Sequence, residues 1–251
     1  MANINETLAW PTVRYRGDEA DGTAKTWVAN YYGPDLQQTV SGPEPTYDAA
    51  MADFVAPAAI GVDYNGGRYL YAADGGADGD PAASASDVLS IIAFKFDGGT
   101  TQRFLGGKNN WTGAAPNYKG WGWWVDTGRQ LKFTYYDGTV GNTLVSTSLG
   151  ATPREVFACA VIDATEATAA NASRIYVDGA DVTSAAVSFA GIGDVSNGSN
   201  MAIGGAVGAN VYTDIISFLS THFKAGWFAG GATNNTQWDA FVASNYALVA
   251  P

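Results

Sequence analysis

Gln130-Leu-Lys-Phe-Thr-Tyr-Tyr136, closed by Asp137-Gly138, alternates without a break. Leu131, Phe133 and Tyr135 fall on one side of an extended chain, and Lys132, Thr134 and Tyr136 fall on the other. The segment therefore predicts a strand with one apolar and one polar face. Asp-Gly is a dipeptide that turns such a strand back in a tight hairpin. Just upstream, Trp121-Gly-Trp-Trp-Val-Asp126 runs into Thr127-Gly128. With the same period of two, Trp121 and Trp123 share a face and Trp124 points the other way. Two strands joined by a glycine turn set the pattern for the rest of the chain.

Working outward, similar runs recur. Val88-Leu-Ser-Ile-Ile-Ala-Phe-Lys-Phe96 ends in Asp97-Gly98-Gly99, and Glu155-Val-Phe-Ala-Cys-Ala-Val-Ile-Asp163 is apolar enough to be a central strand. Arg174-Ile-Tyr-Val-Asp-Gly-Ala-Asp-Val182 reads as strand, Asp178-Gly179 turn and strand. Tyr69-Leu-Tyr-Ala72, Met201-Ala-Ile-Gly-Gly205 and Lys224-Ala-Gly-Trp-Phe-Ala229 complete the set. Glycine, 31 of 251 residues, often comes in pairs that read as turns and bulges punctuating these runs. Helix signals are few: one short turn within Thr46–Val55, and a helix over Thr236–Ala247 with an asparagine cap from Asn234-Asn235 and Trp238, Phe241, Val242 and Asn245 on one face. The expected fold is all-β, a jelly-roll β-sandwich of two antiparallel sheets with a short C-terminal helix. No repeat or linker divides the chain, so the expected organisation is an N-terminal arm, residues 1–10, and a single domain over 11–251.

Composition excludes several function classes. With 47% hydrophobic and 15% charged residues the chain is built to fold, and a chain of this length buries roughly 70–75% of its unfolded surface without needing staples. Its net charge of −11 and lack of a basic run argue against nucleic-acid binding. The single cysteine, Cys159, lies in an apolar run and is expected to be a buried thiol. The single histidine, His222, gives neither a usual zinc set nor a persuasive Cys–His pair. The first residues, Met-Ala-Asn-Ile-Asn-Glu, have no basic or apolar signal region, and no apolar run is long enough to span a bilayer. The Asn-x-Ser/Thr triplets at Asn5, Asn110, Asn171, Asn197 and Asn234 are therefore read as accidents of composition.

The order of the segments resembles the concanavalin A-like lectin/glucanase superfamily, specifically a LamG-like domain. Trp27-Val-Ala-Asn-Tyr-Tyr-Gly-Pro-Asp-Leu36 with Pro45-Thr-Tyr47 resembles the family's opening, and Ile60-Gly-Val-Asp-Tyr-Asn-Gly-Gly-Arg-Tyr-Leu70 its early strand. Trp123-Trp-Val-Asp with Leu131-Lys-Phe is similar to its central hairpin, and Arg174-Ile-Tyr-Val-Asp-Gly179 to its later one. The resemblance spans nearly the whole chain and implies two stacked sheets with one concave face. It implies no single activity, because lectins, glycanases, adhesion modules and virion proteins share the fold. Glycanase members carry Glu-x-Asp-x-x-Glu on one strand; the five glutamates here, Glu6, Glu19, Glu44, Glu155 and Glu166, never approach that spacing.

Two groups of residues are candidate sites. Trp111, Tyr118, Trp121, Trp123 and Trp124 form an aromatic cluster that would line a glycan groove, anchor a protein interface or fill the core. Asp74, Asp78 and Asp80, in the loop Asp74-Gly-Gly-Ala-Asp-Gly-Asp80, supply the oxygen-rich, flexible setting calcium prefers, although a solvated acidic loop reads the same way. No cofactor is required; calcium is the one candidate. With no paired carboxylates on a strand, the expectation is a non-enzymatic virion structural or interaction protein, a phage head-decoration or tail-associated protein made in the host cytoplasm without a signal peptide. Its expected partners are other virion proteins, itself as a homo-oligomer, and surface glycans, with no nucleic acid and no membrane insertion. The alternative is a free-standing carbohydrate-binding lectin, and behind it a glycan-degrading enzyme.

Overall fold

The computed structural model describes residues 11–16, 26–27, 36–38, 46–48, 61–63, 70–72, 87–109, 119–198, 201–203, 214–223 and 230–247. The strands are β1 (Pro11–Arg16), β2 (Thr26–Trp27), β3 (Leu36–Gln38), β4 (Thr46–Asp48), β5 (Gly61–Asp63), β6 (Leu70–Ala72), β7 (Asp87–Phe96), β8 (Arg103–Asn109) and β9 (Gly120–Val125). They continue with β10 (Gln130–Tyr136), β11 (Gly141–Ser148), β12 (Arg154–Ile162), β13 (Ser173–Val177), β14 (Ala180–Asp181), β15 (Thr183–Ala185), β16 (Met201–Ile203) and β17 (Asp214–Phe223). The helices are α1 (Ala169–Ala172) and α2 (Thr233–Tyr246). Among the described residues every strand pairing is antiparallel.

The strands form two sheets. Sheet A runs β14-β13-β12-β7-β17-β5-β4, with β1 also paired to β17; sheet B runs β15-β11-β10-β9-β8-β16-β6-β3-β2. This is the expected all-β sandwich. Its centre is the stack of inward side chains that alternation predicts: Val88, Ile92 and Phe94 from β7 and Val156, Ala158 and Ile162 from β12, facing Trp121 and Trp123 from β9 and Leu131, Phe133 and Tyr135 from β10. Trp123 meets Phe133 edge-on at 5.0 Å between ring centroids, the arrangement that the ring quadrupoles favour. Its indole Nε1–H donates to Ser90 Oγ of β7 at 2.8 Å, a bond from one sheet to the other.

Sheet A is buried on its outer side as well at β12 and β13. Phe157, Cys159 and Tyr176 face away from the sandwich core yet are buried. Helix α2 packs there: Tyr246 lies 5.9 Å from the Phe157 ring, and the Tyr176 hydroxyl donates to Asp239 at 2.7 Å. That second covered face explains why β12 reads as an unbroken apolar run instead of an alternation. Asp178 and Gly179 both adopt positive φ, 51° and 84°, so the β13–β14 connection is a tight hairpin turn of the mirror-image kind.

Several elements differ from the sequence expectation. Helix α2 begins at Thr233, three residues earlier than expected, because Asn234 lies inside its first turn. There the buried Asn234 amide donates to Asp163 and to the Asn171 carbonyl, and its oxygen accepts from Gly230 N–H. Gly106-Gly107 sits within β8, where the register shifts between Phe104 and Gly106 and Gly107 takes a φ of 154°. Of the two readings open to a glycine pair, turn or bulge, this one makes a bulge, so the strand runs on through it. Thr46–Asp48 is strand instead of helix. The central strand β17, which pairs with β7 along its length, was not anticipated; the strand expected over Lys224–Ala229 lies outside the described residues.

Candidate functional site

Sheet B has an outer face, and its centre is where β9, β10 and β11 run side by side. Trp124 is opposite Lys132, and Lys132 is opposite Val145; Gly122 is opposite Thr134, and Thr134 is opposite Thr143; Gly120 is opposite Tyr136, and Tyr136 is opposite Gly141. The side chains alternate strictly along β10, so Lys132, Thr134 and Tyr136 stand outward and half-buried while their neighbours fill the core. On β9, Trp121 and Trp123 are fully buried and Trp124 alone is half-exposed.

Trp124 is held by Thr134 and Lys132 of the neighbouring strand. Its Nε1–H donates to Thr134 Oγ1 at 3.0 Å, and that hydroxyl also bonds Thr143 Oγ1 at 3.0 Å. The Lys132 ammonium lies 4.7 Å from the indole centroid, a cation–π contact. The same ammonium pairs with Asp126 at 2.8 Å. Asp126 in turn accepts from the N–H groups of Gly128 and Gln130 in the β9–β10 turn. Burial pushes the Asp126 carboxyl pKa up, but Lys132 and those two N–H groups outweigh it and hold the group below its usual value. The carboxylate is therefore charged throughout the physiological range, and so is its pairing to Lys132.

At the other end of the stripe, the Tyr136 ring lies directly over Gly141: a Cβ on Gly141 would fall 1.8 Å from Tyr136 Cδ2. Only glycine permits that seating. The Tyr136 hydroxyl donates to the Thr139 carbonyl at 3.3 Å. The stripe thus carries an indole, a phenol ring, two linked hydroxyls and a neutralised ion pair. Such a surface can pack against C–H faces and exchange hydrogen bonds with hydroxyl groups.

The predicted site residues separate sharply. Trp121 and Trp123 are each 0% exposed and belong to the core, so they cannot touch a ligand. Among the described members of the cluster, Trp124 is the one that reaches the surface. Trp111 and Tyr118 lie outside the described residues, as does the calcium loop with Asp74, Asp78 and Asp80. Among the described residues no three His, Cys, Asp or Glu side chains are grouped to hold a metal. Cys159 is buried on the outer side of β12, and burial drives its thiol pKa far above the ordinary range, which suits a structural role. Lys132, Thr134 and Tyr136 were legible as one face of β10. Thr143 and Gly141 were not, because β11, Gly-Asn-Thr-Leu-Val-Ser-Thr-Ser, carries too few apolar residues to stand out.

The sequence matches no protein-family model and no curated protein. Solved structures do share its fold. The sialidase of Trypanosoma rangeli in complex with sialic acid superposes with a TM-score of 0.51 at 13% identity, over 93% of this chain and 33% of the sialidase. The botulinum neurotoxin serotype D binding domain superposes with a TM-score of 0.52 at 9% identity, over 94% of this chain and 51% of that one. The chain thus spans about a third of the sialidase and half of the toxin chain, and the likeness is one of fold alone. It corrects one expectation. The absence of a Glu-x-Asp-x-x-Glu strand led to a non-enzyme reading, but sialidase chains carry this sandwich, so a glycan-cleaving role is not excluded by fold or by that missing motif.

Proposed function

We propose that this chain is a glycan-recognition domain of lectin-like fold and that the outer face of sheet B, centred on Trp124, is its contact surface. The observation that carries the reading is the setting of that indole: half-exposed on a sheet, hydrogen-bonded through Nε1 to Thr134 and flanked by the Lys132–Asp126 pair. A pyranose offers a C–H face to an aromatic ring and hydroxyls to the polar groups beside it, which is the chemistry this surface displays. The structures that share the fold support the reading in kind, one being a sialidase with bound sialic acid and another the receptor binding domain of botulinum neurotoxin D. The ordered resemblance of the sequence to LamG-like domains points the same way.

One indole and a few polar groups make a small contact, so a single site binds weakly. The setting we propose is accordingly a multivalent one, many copies on a virus particle, where repetition raises overall avidity by roughly 10²–10⁴ without new contacts. Partners there are surface glycans and neighbouring virion proteins.

The first test is a glycan array probed with the purified chain presented in multivalent form, beside Trp124→Ala. Binding to a defined set of glycans that Trp124→Ala abolishes, with an unchanged circular dichroism spectrum, is the expected result. Array binding unaffected by Trp124→Ala would move the site elsewhere, and no array binding would refute the glycan reading. Co-sedimentation of the chain with assembled particles tests the virion setting separately.

A further inference from the structure

Tyr136 was not among the candidate ligand residues, and the Trp124 site does not need it to be complete. Its position nevertheless places a second aromatic ring on the same surface. Lys132, opposite Trp124, and Tyr136 are four residues apart on one strand, which is about 13 Å at the ordinary rise of an extended chain. Between them lie Thr134 and, beside it, Gly122 and Thr143. Between the two positions stand the mutually bonded Thr134 and Thr143 hydroxyls, on which the Trp124 indole also rests, and Gly122, over which the buried Phe104 ring of β8 is laid. The Tyr136 ring is laid on Gly141, where the backbone supports it.

Charge narrows the ligand further. The one cation of the stripe, Lys132, is already neutralised by Asp126. The chain as a whole carries −11. A carboxylated sugar would meet Asp126 with no uncommitted cation among the described residues of this surface. A neutral sugar suits it, because the ion pair offers both donor and acceptor to hydroxyls.

We infer that Tyr136 is the second aromatic contact of this surface and that the ligand is a neutral, linear oligosaccharide lying along β10, one sugar ring at Trp124 and a later one at Tyr136. This rests on the glycan-recognition reading above and specifies its ligand. The two rings stand on backbone positions about 13 Å apart along β10, a separation that suits a chain of linked pyranoses better than a single monosaccharide. The geometry also assigns Gly141 a role, since any side chain there would lift Tyr136 off its seat.

The test is an array printed with neutral linear oligosaccharides of graded length and with their sialylated counterparts, followed by calorimetric titration of the best neutral series. Affinity for the wild-type chain should rise with length, by roughly tenfold between the shortest binder and the plateau. Tyr136→Ala should remove that rise, so that the longest binders lose the same roughly tenfold in affinity. Gly141→Ala, which keeps the phenol but displaces it, should do the same. Trp124→Ala should abolish binding at every length. Two outcomes overturn the inference and leave the glycan reading standing: binding confined to sialylated glycans, or a length dependence identical in wild type and Tyr136→Ala. Failure to bind any printed glycan overturns both.

Discussion

At the scale of single residues, the two tryptophans at 123 and 124 show how one step along a strand changes a side chain's role. Trp123 is fully buried and ties sheet B to Ser90 of sheet A; Trp124 is half-exposed and bonds Thr134 of its own sheet. Trp123→Phe keeps most of the packed volume and removes the bond between sheets. A buried neutral hydrogen bond contributes about 0.5–1.5 kcal/mol net, and leaving a partner unsatisfied costs about 1–3 kcal/mol. Urea unfolding should therefore show Trp123→Phe destabilised by about 1–3 kcal/mol. In a double-mutant cycle with Ser90→Ala the pair should show a coupling of about 0.5–1.5 kcal/mol. The period of two made the opposed facing of these indoles legible in the sequence. It did not reveal which face was the core, because both carry an aromatic residue. Nor did it reveal Asp126 as the partner of Lys132, a contact that depends on the curl of the Thr127-Gly128 turn.

At the scale of elements, α2 is held onto sheet A by named contacts at its two ends. The Asn234 amide reaches Asp163 and Asn171 at the start of the helix, and Tyr176–Asp239 and Phe157–Tyr246 fix its later turns. Cys159 is buried beside Tyr176, its cross-strand partner, which α2 holds through Asp239, and so makes an internal reporter of the helix's seating. In the native chain a thiol reagent should label Cys159 only as α2 opens. Trp238 is the largest buried side chain on the helix, and Trp238→Ala should weaken its docking by about 3–5 kcal/mol. The labelling rate should then rise by an order of magnitude or more, measured under native conditions. Equal rates in the two proteins would show that the thiol is reached by another route. The existence of α2 was legible, from the apolar spacing of Trp238 and Val242. Strand β17 was not: Ser217, Ser220, Thr221 and His222 interrupt its apolar residues, and its pairing with β7 is a long-range choice that no local pattern records. Strand β8 was hidden by Gly106-Gly107, which a turn and a bulge use alike.

At the scale of the whole molecule, acidity and stability are linked through aspartates that are paired in the folded state. Asp97, Asp126, Asp137 and Asp194 all have carboxyl pKa values held below the ordinary 3.8. For the first three, burial works the other way and is outweighed: by Arg103 for Asp97, by Lys132 for Asp126, and by the N–H groups of Val140, Gly193 and Thr139 for Asp137. For Asp194 the Ser196 hydroxyl leads and Lys119 adds to it. A depressed folded-state value means the unfolded chain takes up protons first as pH falls. The contribution of these groups is full above the ordinary value and is lost as pH drops through the lower folded values. The melting temperature should hold nearly level from neutral pH down to about pH 4 and fall below it. A decline that begins above pH 5 would assign acid sensitivity to other groups. The layout of sheet A has a further consequence, for the order in which the chain can be made. Strand β7 lies between β12 and β17, which leave the ribosome much later, β17 after most of the chain has been synthesised. Translation adds roughly 5–20 residues per second, so Val88-Leu-Ser-Ile-Ile-Ala-Phe94 spends seconds with one edge unpaired while sheet B already has its β8–β11 meander in hand. During that interval the nascent chain is a template for pairing with its neighbours on the same messenger, until β17 arrives to cover the open edge.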